Sequence, residues 1–589
     1  MTSISKKSGQ IIRKLNRFSR KTSEKSKEHI KTHFLARLRS AAKSRLLIVE
    51  WLLLVSAITL FAIVQAVWYK SAYTTTVFVA GSSYSESTLG AVDSLNPLFA
   101  ATTSEKTASR LLFSTLLSVD TTGRIHNHLA RSIKHDSSGK IWTLTLRDNI
   151  YWSDGDPITA DDIIYTFSVI NDPAARTIYA DSFSTVKIAK VDELTVTFTL
   201  PTVFADFPAT LTVPLLPEHI LGQIPPALLP EHTFSLSPIG SGPFVFDAIQ
   251  QSATSKTVLL AKNSKYFQGE PLLSRFSLSA YSSEDELARA LKNHDVTATA
   301  GITNPENYPT SADIYQKNAA LNRGAFAFLN TSSEVLKTSS IRRAIRFALD
   351  IPALREELDI SLPLDYPILR SQAEVTFPDI PKPDQVKAME LITAEGSGLT
   401  QTAGKLYIAD DNAPAELTIA TIDTGHLADF AKSIADSLST LGFSVTINVL
   451  EPDESQIFFT QIVQPRAYDI LLYEIDMGLY ADLLPYYHST QATTTGFNFS
   501  NYNNAVMNDL ILSVRSTFDA ELRRAKYEAF LRHWVDAVPA IGLYQSELTY
   551  FYNRGTRPFS ENIALASPLD RFSDILYWAS EKAPRYRTP

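Results

Sequence analysis

A few short spacings of serine, histidine and glycine are the places where chemistry could sit in this 589-residue chain. Ser137 with Lys140, and again Ser184 with Lys187, have the Ser-x-x-Lys spacing of a serine nucleophile and its base. No companion motif supports either, and four-residue patterns of this kind recur by chance. His126 and His128 flank Asn127 and could begin a metal site, but no carboxylate stands at a suitable spacing, so a solvated loop is the plainer reading. Gly240-Ser241-Gly242-Pro243 is glycine-rich but lacks the lysine and following helix of a phosphate loop, and it reads as a tight turn. HExxH, GxSxG and Walker-type patterns do not occur in the sequence. The chain has no cysteine, which excludes a disulfide framework, thiolate zinc, iron–sulfur ligation, a cysteine nucleophile and a lipid-modified N-terminal cysteine. Binding features are better represented: 24 tyrosines supply apolar rings with polar tips, which suit a ligand cleft. No catalytic residue, metal or cofactor is expected.

The elements that would position such a cleft are mixed. Residues 142–146 and 195–200 alternate apolar residues with threonine, the period of a half-buried strand. Thr159 followed by Asp162 forms a capping-box-like start, after which Ile163, Phe167 and Ile170 share one helical face. Leu427, Ala431, Ile434, Leu438 and Leu441 keep helical spacing up to Gly442, a C-cap candidate; Phe443, Val445, Ile447 and Val449 then alternate as a strand. Ile341, Ile345, Ala348 and Leu349 mark another helix, and Tyr527, Phe530, Leu531 and Trp534 another. Proline-rich stretches at 215–230 and 363–383 read as loops. Helices packed on sheets are the expected class.

Charge divides the chain. Residues 1–45 hold 14 Lys and Arg against two acidic residues, whereas the whole chain carries −7. The acidic remainder argues against a broad nucleic-acid surface, and no nucleic acid is expected as a partner. Between tail and body lies an apolar run at 46–68 whose single charge is Glu50. As a helix it would reach about 35 Å, enough to cross a hydrocarbon core of roughly 30 Å. Trp51, Trp68 and Tyr69 match an aromatic belt. The basic residues precede the run and only Lys70 closely follows it, so the N-terminus is expected in the cytoplasm and the body outside. A cleaved signal peptide is the competing reading, since Val64-Gln65-Ala66 resembles a cleavage site, but the basic region and the apolar run are both long for one.

The segment 138–162, SGKIWTLTLRDNIYWSDGDPITADD, closely resembles the signature of the family 5 extracellular solute-binding proteins, the peptide/nickel type that serves ABC importers. Other family-like pieces stand in order around it: Leu95-Asn96-Pro97-Leu98, a helix-like 111–117, the Gly240-Ser241-Gly242-Pro243-Phe244 turn, Asn330-Thr331 followed by 341–350, and Val538-Pro539-Ala540-Ile541-Gly542-Leu543-Tyr544. The resemblance covers about residues 77–580. It implies an α/β, two-lobed, type II periplasmic-binding-protein-like fold with an extra domain, preceded here by one transmembrane helix. Charge and hydropathy set a basic cytoplasmic tail at 1–45 and a transmembrane helix at 46–69, and the resemblance implies a solute-binding part at 77–589. Lobe one would lie near 77–120, 240–325 and 554–589, the extra domain near 121–239 and lobe two near 326–553. Most of the signature would be structural, with Trp152, Asp154, Gly155 and Pro157 forming the turn between strand and capped helix. Peptide-binding members carry a pattern like G-W-x-A-D-Y-x-D-P, whose aspartate holds the peptide's α-amine. Here it is matched by Gly478, Tyr480, Ala481 and Asp482, with leucine at 479 and 483 in place of the aromatics. Asp482 is therefore the expected ligand carboxylate, with Glu474 and Asp476 as alternatives. The implied function is a membrane-anchored, extracytoplasmic receptor that captures peptides and delivers them to ABC permease subunits. An ectodomain that binds another solute or serves as an envelope sensor is the alternative, and an envelope hydrolase a more distant one.

Overall fold

The computed structural model of the chain describes residues 45–78, 80–180, 182–302, 308, 313–410, 412–560, 563, 565–580 and 582–586. The basic tail, apart from Arg45, lies outside the described residues. Two units are distinguished, residues 1–77 with 582–589, and residues 78–581. In the first, a helix runs over Arg45–Tyr73, and Thr74–Phe78 forms a two-stranded ribbon with Lys582–Tyr586. Val49–Tyr69 is apolar and long enough to cross a membrane, and none of it is buried.

The second unit is organised by one mixed sheet of ten strands. Their order is Ser444–Leu450, Glu416–Ile422, Ile470–Asp476, Ile314–Leu329, Ala540–Asn553, Ala298–Ala300, Ser83–Leu89, Arg275–Tyr281, Ser255–Lys262 and Phe244–Gln251. Two of these, Ile314–Leu329 and Ala540–Asn553, are long and pair antiparallel. Their distal parts lie in different cores. Ala325 to Leu329 and Ala540 to Tyr544 belong to a core with the Leu427–Thr440 and Ala520–Ala537 helices. Ala319, Leu321, Leu548 and Tyr550 belong to a second core, built around the Ser83–Leu89 strand and the Thr103–Leu112 helix. Between the two, the register slips at Ala320/Gly324. A bulge at this junction is where a continuous sheet can bend.

Local signals explain most elements. The Leu427–Thr440 helix ends in Gly442 at φ +104, and Phe443 N–H bonds back to Leu438, the C-cap arrangement that a glycine permits. The strand that follows, Ser444–Leu450, lies at the sheet edge, so its alternation leaves Ile447 and Val449 exposed. Thr159 and Asp162 form the capping box of the Ala160–Asn171 helix, and the Asp162 carboxylate also accepts from Glu218 N–H at 2.9 Å. Strands Ile141–Leu146 and Thr195–Thr199 pair antiparallel in a separate four-stranded sheet, with Trp142 opposite Phe198. This sheet's core is continuous with that of the Ser83–Leu89 strand.

Two readings change. The helix-like 111–117 is the end of the Thr103–Leu112 helix and the passage into strand Leu117–Val119. Gly240 and Gly242 are not needed for a left-handed turn. They allow close approach, because Ser241 and Gly242 N–H both bond to the Leu112 carbonyl, and a Cβ on Gly240 would stand 2.1 Å from that oxygen. Gly240→Ala is therefore expected to destabilise the protein by about 1–3 kcal/mol, read by urea unfolding; a change below about 0.5 kcal/mol would mean the backbone yields freely.

The Leu95-Asn96-Pro97-Leu98 region is held by one carboxylate. Glu105 accepts from the N–H groups of Asp93 (2.7 Å), Ser94 (2.9 Å), Ala101 (2.8 Å) and Thr102 (3.0 Å). Burial works against its charge, but these donors outweigh burial and hold the carboxyl below its ordinary value of 4.5. A lowered folded pKa gives stability that is present above 4.5 and lost as pH falls through the folded value. Glu105→Gln should cost about 1–3 kcal/mol at neutral pH, and the gap to wild type should close progressively below pH 4.5 in acid-melting curves.

Candidate functional site

The strand Ile470–Asp476 runs into the loop that carries the candidate ligand residues, and the loop leads to the short helix Leu484–Tyr487. Gly478 takes φ +70, which a side chain would resist. Its carbonyl accepts from Asn322 Nδ2 (2.8 Å) and Gln372 Nε2 (2.9 Å), while Met477 N–H donates to the Asn322 carbonyl at 2.7 Å. The loop is thus tied to the bulge of the long strand. The Ala481 carbonyl accepts from the Tyr527 hydroxyl at 2.9 Å. The Tyr480 ring lies 5.7 Å from that of Phe204.

Asp482 is the decisive position. Its carboxylate accepts from Leu484 N–H at 3.2 Å and faces Arg515 Nε at 3.3 Å. Burial raises its pKa, with the Arg515 charge pulling the other way. Arg515 ends the Ala505–Arg515 helix, where a cation also suits the exposed carbonyls. Its guanidinium lies 4.1 Å over the Phe204 ring, and its backbone carbonyl accepts from Ala205 N–H at 2.9 Å. Beside this pair Arg523 grips Asp206 through two bonds, one of 2.9 Å. The gap enclosed by these groups leaves no room for a water molecule.

The sequence thus places Gly478, Tyr480, Ala481 and Asp482 together, as the structure does, but leaves their polar atoms available to a ligand. The structure engages the Gly478 and Ala481 carbonyls from within the chain and sets the Arg515 charge against the Asp482 carboxylate, without a hydrogen bond from Arg515 Nε. The alternatives are engaged as well: Asp476 faces Arg323 at 2.9 Å, and Glu474 accepts from the Tyr544 hydroxyl at 3.1 Å. Arg515, Phe204, Asp206, Asn322 and Gln372 have no local signal in the sequence, because their partners lie far away along the chain.

Space for a solute lies elsewhere. A cavity of about 570 Å³ opens at the bulged junction of the two long strands, where Ala320, Asn322 and Gln545 line it. The opposite wall is the 363–371 stretch with Phe377, and Leu565 closes one side. Ser371 is the last residue of that stretch here, and Gln372 to Val375 line a second cavity of about 320 Å³ with Tyr480 and Tyr527.

One sheet thus runs through two cores, with a register slip and a cavity at their junction. The signature of the bacterial extracellular solute-binding proteins, family 5 Middle, matches residues 124–498. The chain belongs to this family.

Among family relatives, the oligopeptide-binding protein AppA of Bacillus subtilis is 24% identical over 76% of this chain and 83% of its own length. The nickel-binding periplasmic protein of Escherichia coli is 24% identical over 63% of this chain and 71% of its own length. The ABC transporter substrate-binding protein CtaP of Listeria monocytogenes superposes with a TM-score of 0.71 at 22% identity, covering 85% of this chain and 99% of that one. The fold is accordingly the two-lobed type II fold of periplasmic binding proteins, with mixed α/β lobes. The two histidines of the 126–128 segment are structural. His128 is buried between Thr115 and the Tyr266 hydroxyl, and burial, with Arg110 nearby, lowers its pKa to about 3. His126 bonds to Ser118. Ser137 and Lys140 sit on an exposed hairpin between strands Ala130–His135 and Ile141–Leu146. Trp152 is fully buried, Gly155 takes φ +108, and Ser153 N–H bonds to the Gly240 carbonyl, so the signature turn is docked on the glycine-rich segment. Among the described residues no group of three or more His, Asp or Glu side chains is placed to hold a metal ion.

Proposed function

We propose that this family 5 chain is a membrane-anchored, extracytoplasmic receptor that captures short peptides and passes them to the permease subunits of an ABC importer. The observation that carries the reading is the cavity of about 570 Å³ at the junction of the two cores, within the range of small-ligand sites. Its lining combines aliphatic and aromatic side chains with the charged Asp365 and Arg370 and with Asn322 and Gln545, whose amide nitrogens donate within the chain, a mixed apolar and polar surface of the kind that takes short peptides. Kinship to an oligopeptide receptor supports peptides as the ligand class. In this reading the residues near 77–120, 240–325 and 554–589 form lobe one, 121–239 the extra domain and 326–553 lobe two. The Val49–Tyr69 helix anchors the chain, with the basic tail inside the cell.

The test is to purify the full chain in detergent from its membranes and identify the small molecules that leave on denaturation by mass spectrometry. Peptides, added back, should reduce the radius of gyration in solution scattering as the lobes close. Recovery of a non-peptide solute, with no response to peptides, would overturn the ligand class. A mature N-terminus near Trp68 would overturn the anchor.

A further inference from the structure

Two ion pairs share one enclosed place beside the candidate loop. Arg515 faces Asp482 at 3.3 Å, and Arg523 grips Asp206. The four side chains are between 18% and 29% exposed, and the gap among them leaves no room for water. Two acids and two bases leave no net charge. A ligand ammonium added there would leave one charge uncompensated and largely shielded from water, a costly arrangement. Arg515 is also held in place. The Phe204 ring lies 4.1 Å from its guanidinium, and Ala205 N–H bonds to its carbonyl.

We propose that Arg515 is a specificity-determining residue: it occupies Asp482 from within the chain, so the receptor takes peptides with blocked and with free amino ends alike. This rests on the peptide-binding reading above. The free amine is then not a selection criterion, and affinity comes from backbone and side-chain contacts outside this gap, which adjoins the cavity of about 320 Å³ through Asp206, Tyr480, Arg523 and Tyr527. Removing the Arg515 charge should convert the receptor into one that prefers a free α-amine, because Asp482 would then lack a cation that the ligand can supply.

Calorimetry with trialanine and trileucine, each free and N-acetylated, tests this on the full-length chain. Wild type should bind both forms within about threefold of each other. Arg515→Ala should favour the free forms by about tenfold or more, and Arg515→Ala with Asp482→Asn should lose that preference. A wild-type preference of about tenfold for the free forms that disappears in Asp482→Asn alone would overturn the proposal, since the ligand would then displace Arg515. A second readout needs no peptide. Ethylguanidinium chloride should raise the melting temperature of Arg515→Ala but not of wild type or of the double variant, because only the single variant offers a vacant place beside a partly buried, uncompensated carboxylate. No difference among the three would overturn the proposal. If no peptide binds any variant while ethylguanidinium still stabilises Arg515→Ala alone, the peptide reading fails and the occupation of Asp482 stands. Arg515→Gln, which fills the gap without charge, replaces the alanine variant in every arm if the latter does not fold.

Discussion

Glu86→Gln should lower the unfolding free energy by about 3–5 kcal/mol, one of the two largest effects expected in this molecule. Glu86 and Arg571 are both fully buried, and Arg571 Nη2 donates to Glu86 Oε1. The other carboxylate oxygen accepts from the Tyr550 hydroxyl at 2.6 Å, which is itself 2.7 Å from the Tyr84 hydroxyl. Burial, with the Glu86 charge adding to it, keeps both phenols well above their ordinary pKa, so they stay protonated. The cluster joins the strand Ser83–Leu89, the long strand Ala540–Asn553 and the segment Pro568–Tyr577. The amide keeps the shape but strands the guanidinium without a counter-charge in a dry interior. Arg571→Met should cost a similar amount by stranding the carboxylate. The double variant should recover part of the loss, because an apolar replacement of a whole buried pair is tolerated better than half of one. Urea unfolding of the four proteins gives the coupling; single-variant losses under about 1 kcal/mol would show that water reaches the pair.

The readable parts of this fold were those fixed by local chemistry. Thr159 and Asp162 specify a helix start within four residues, and Gly442 specifies a helix end through its own φ. The alternation at 142–146 and 195–200 gave two strands, because each buries one face on a core. Leu111 and Leu112 are helical, but Leu117 lies in a strand, because it pairs with Asn127 across a hairpin that the apolar spacing of 111–117 does not show. The glycines of 240–242 were visible as glycines. The carbonyl of Leu112, which makes them necessary, was not. The site shows the same division. A motif located the loop that carries Asp482, but the occupant of Asp482 comes from the end of a later helix, and Phe204, which steadies that occupant, comes from a different part of the chain. No periodicity or spacing encodes such a meeting. The cavity was equally hidden, because it is made by a register slip between two strands and by the 363–371 stretch, which the sequence marks only as proline-containing loop.

Filling that cavity should remove the solute while leaving the fold. Ala320 lines it from the bulged junction, and Ser371 lines it from the opposite wall. A tryptophan at either position would project a ring into a space of about 570 Å³. An aromatic side chain covers roughly 150–250 Å², and a ligand denied that much contact loses up to roughly 4–6 kcal/mol at 25 cal/mol per Å². Lobe adjustment returns part of this, so affinity should fall by about 100-fold or more. Ala320→Trp and Ser371→Trp approach from different elements, one from a strand and one from a loop. A shared loss therefore reports the cavity and not damage to either element. The readout is the quantity of small molecules that stay with the full chain through purification, measured after denaturation, beside a melting curve for each variant. Both variants should melt close to wild type and come away empty. If both fold and still carry their normal load, the solute is held elsewhere, and the second cavity beside Tyr480, lined by Gln372 to Val375, becomes the place to block next.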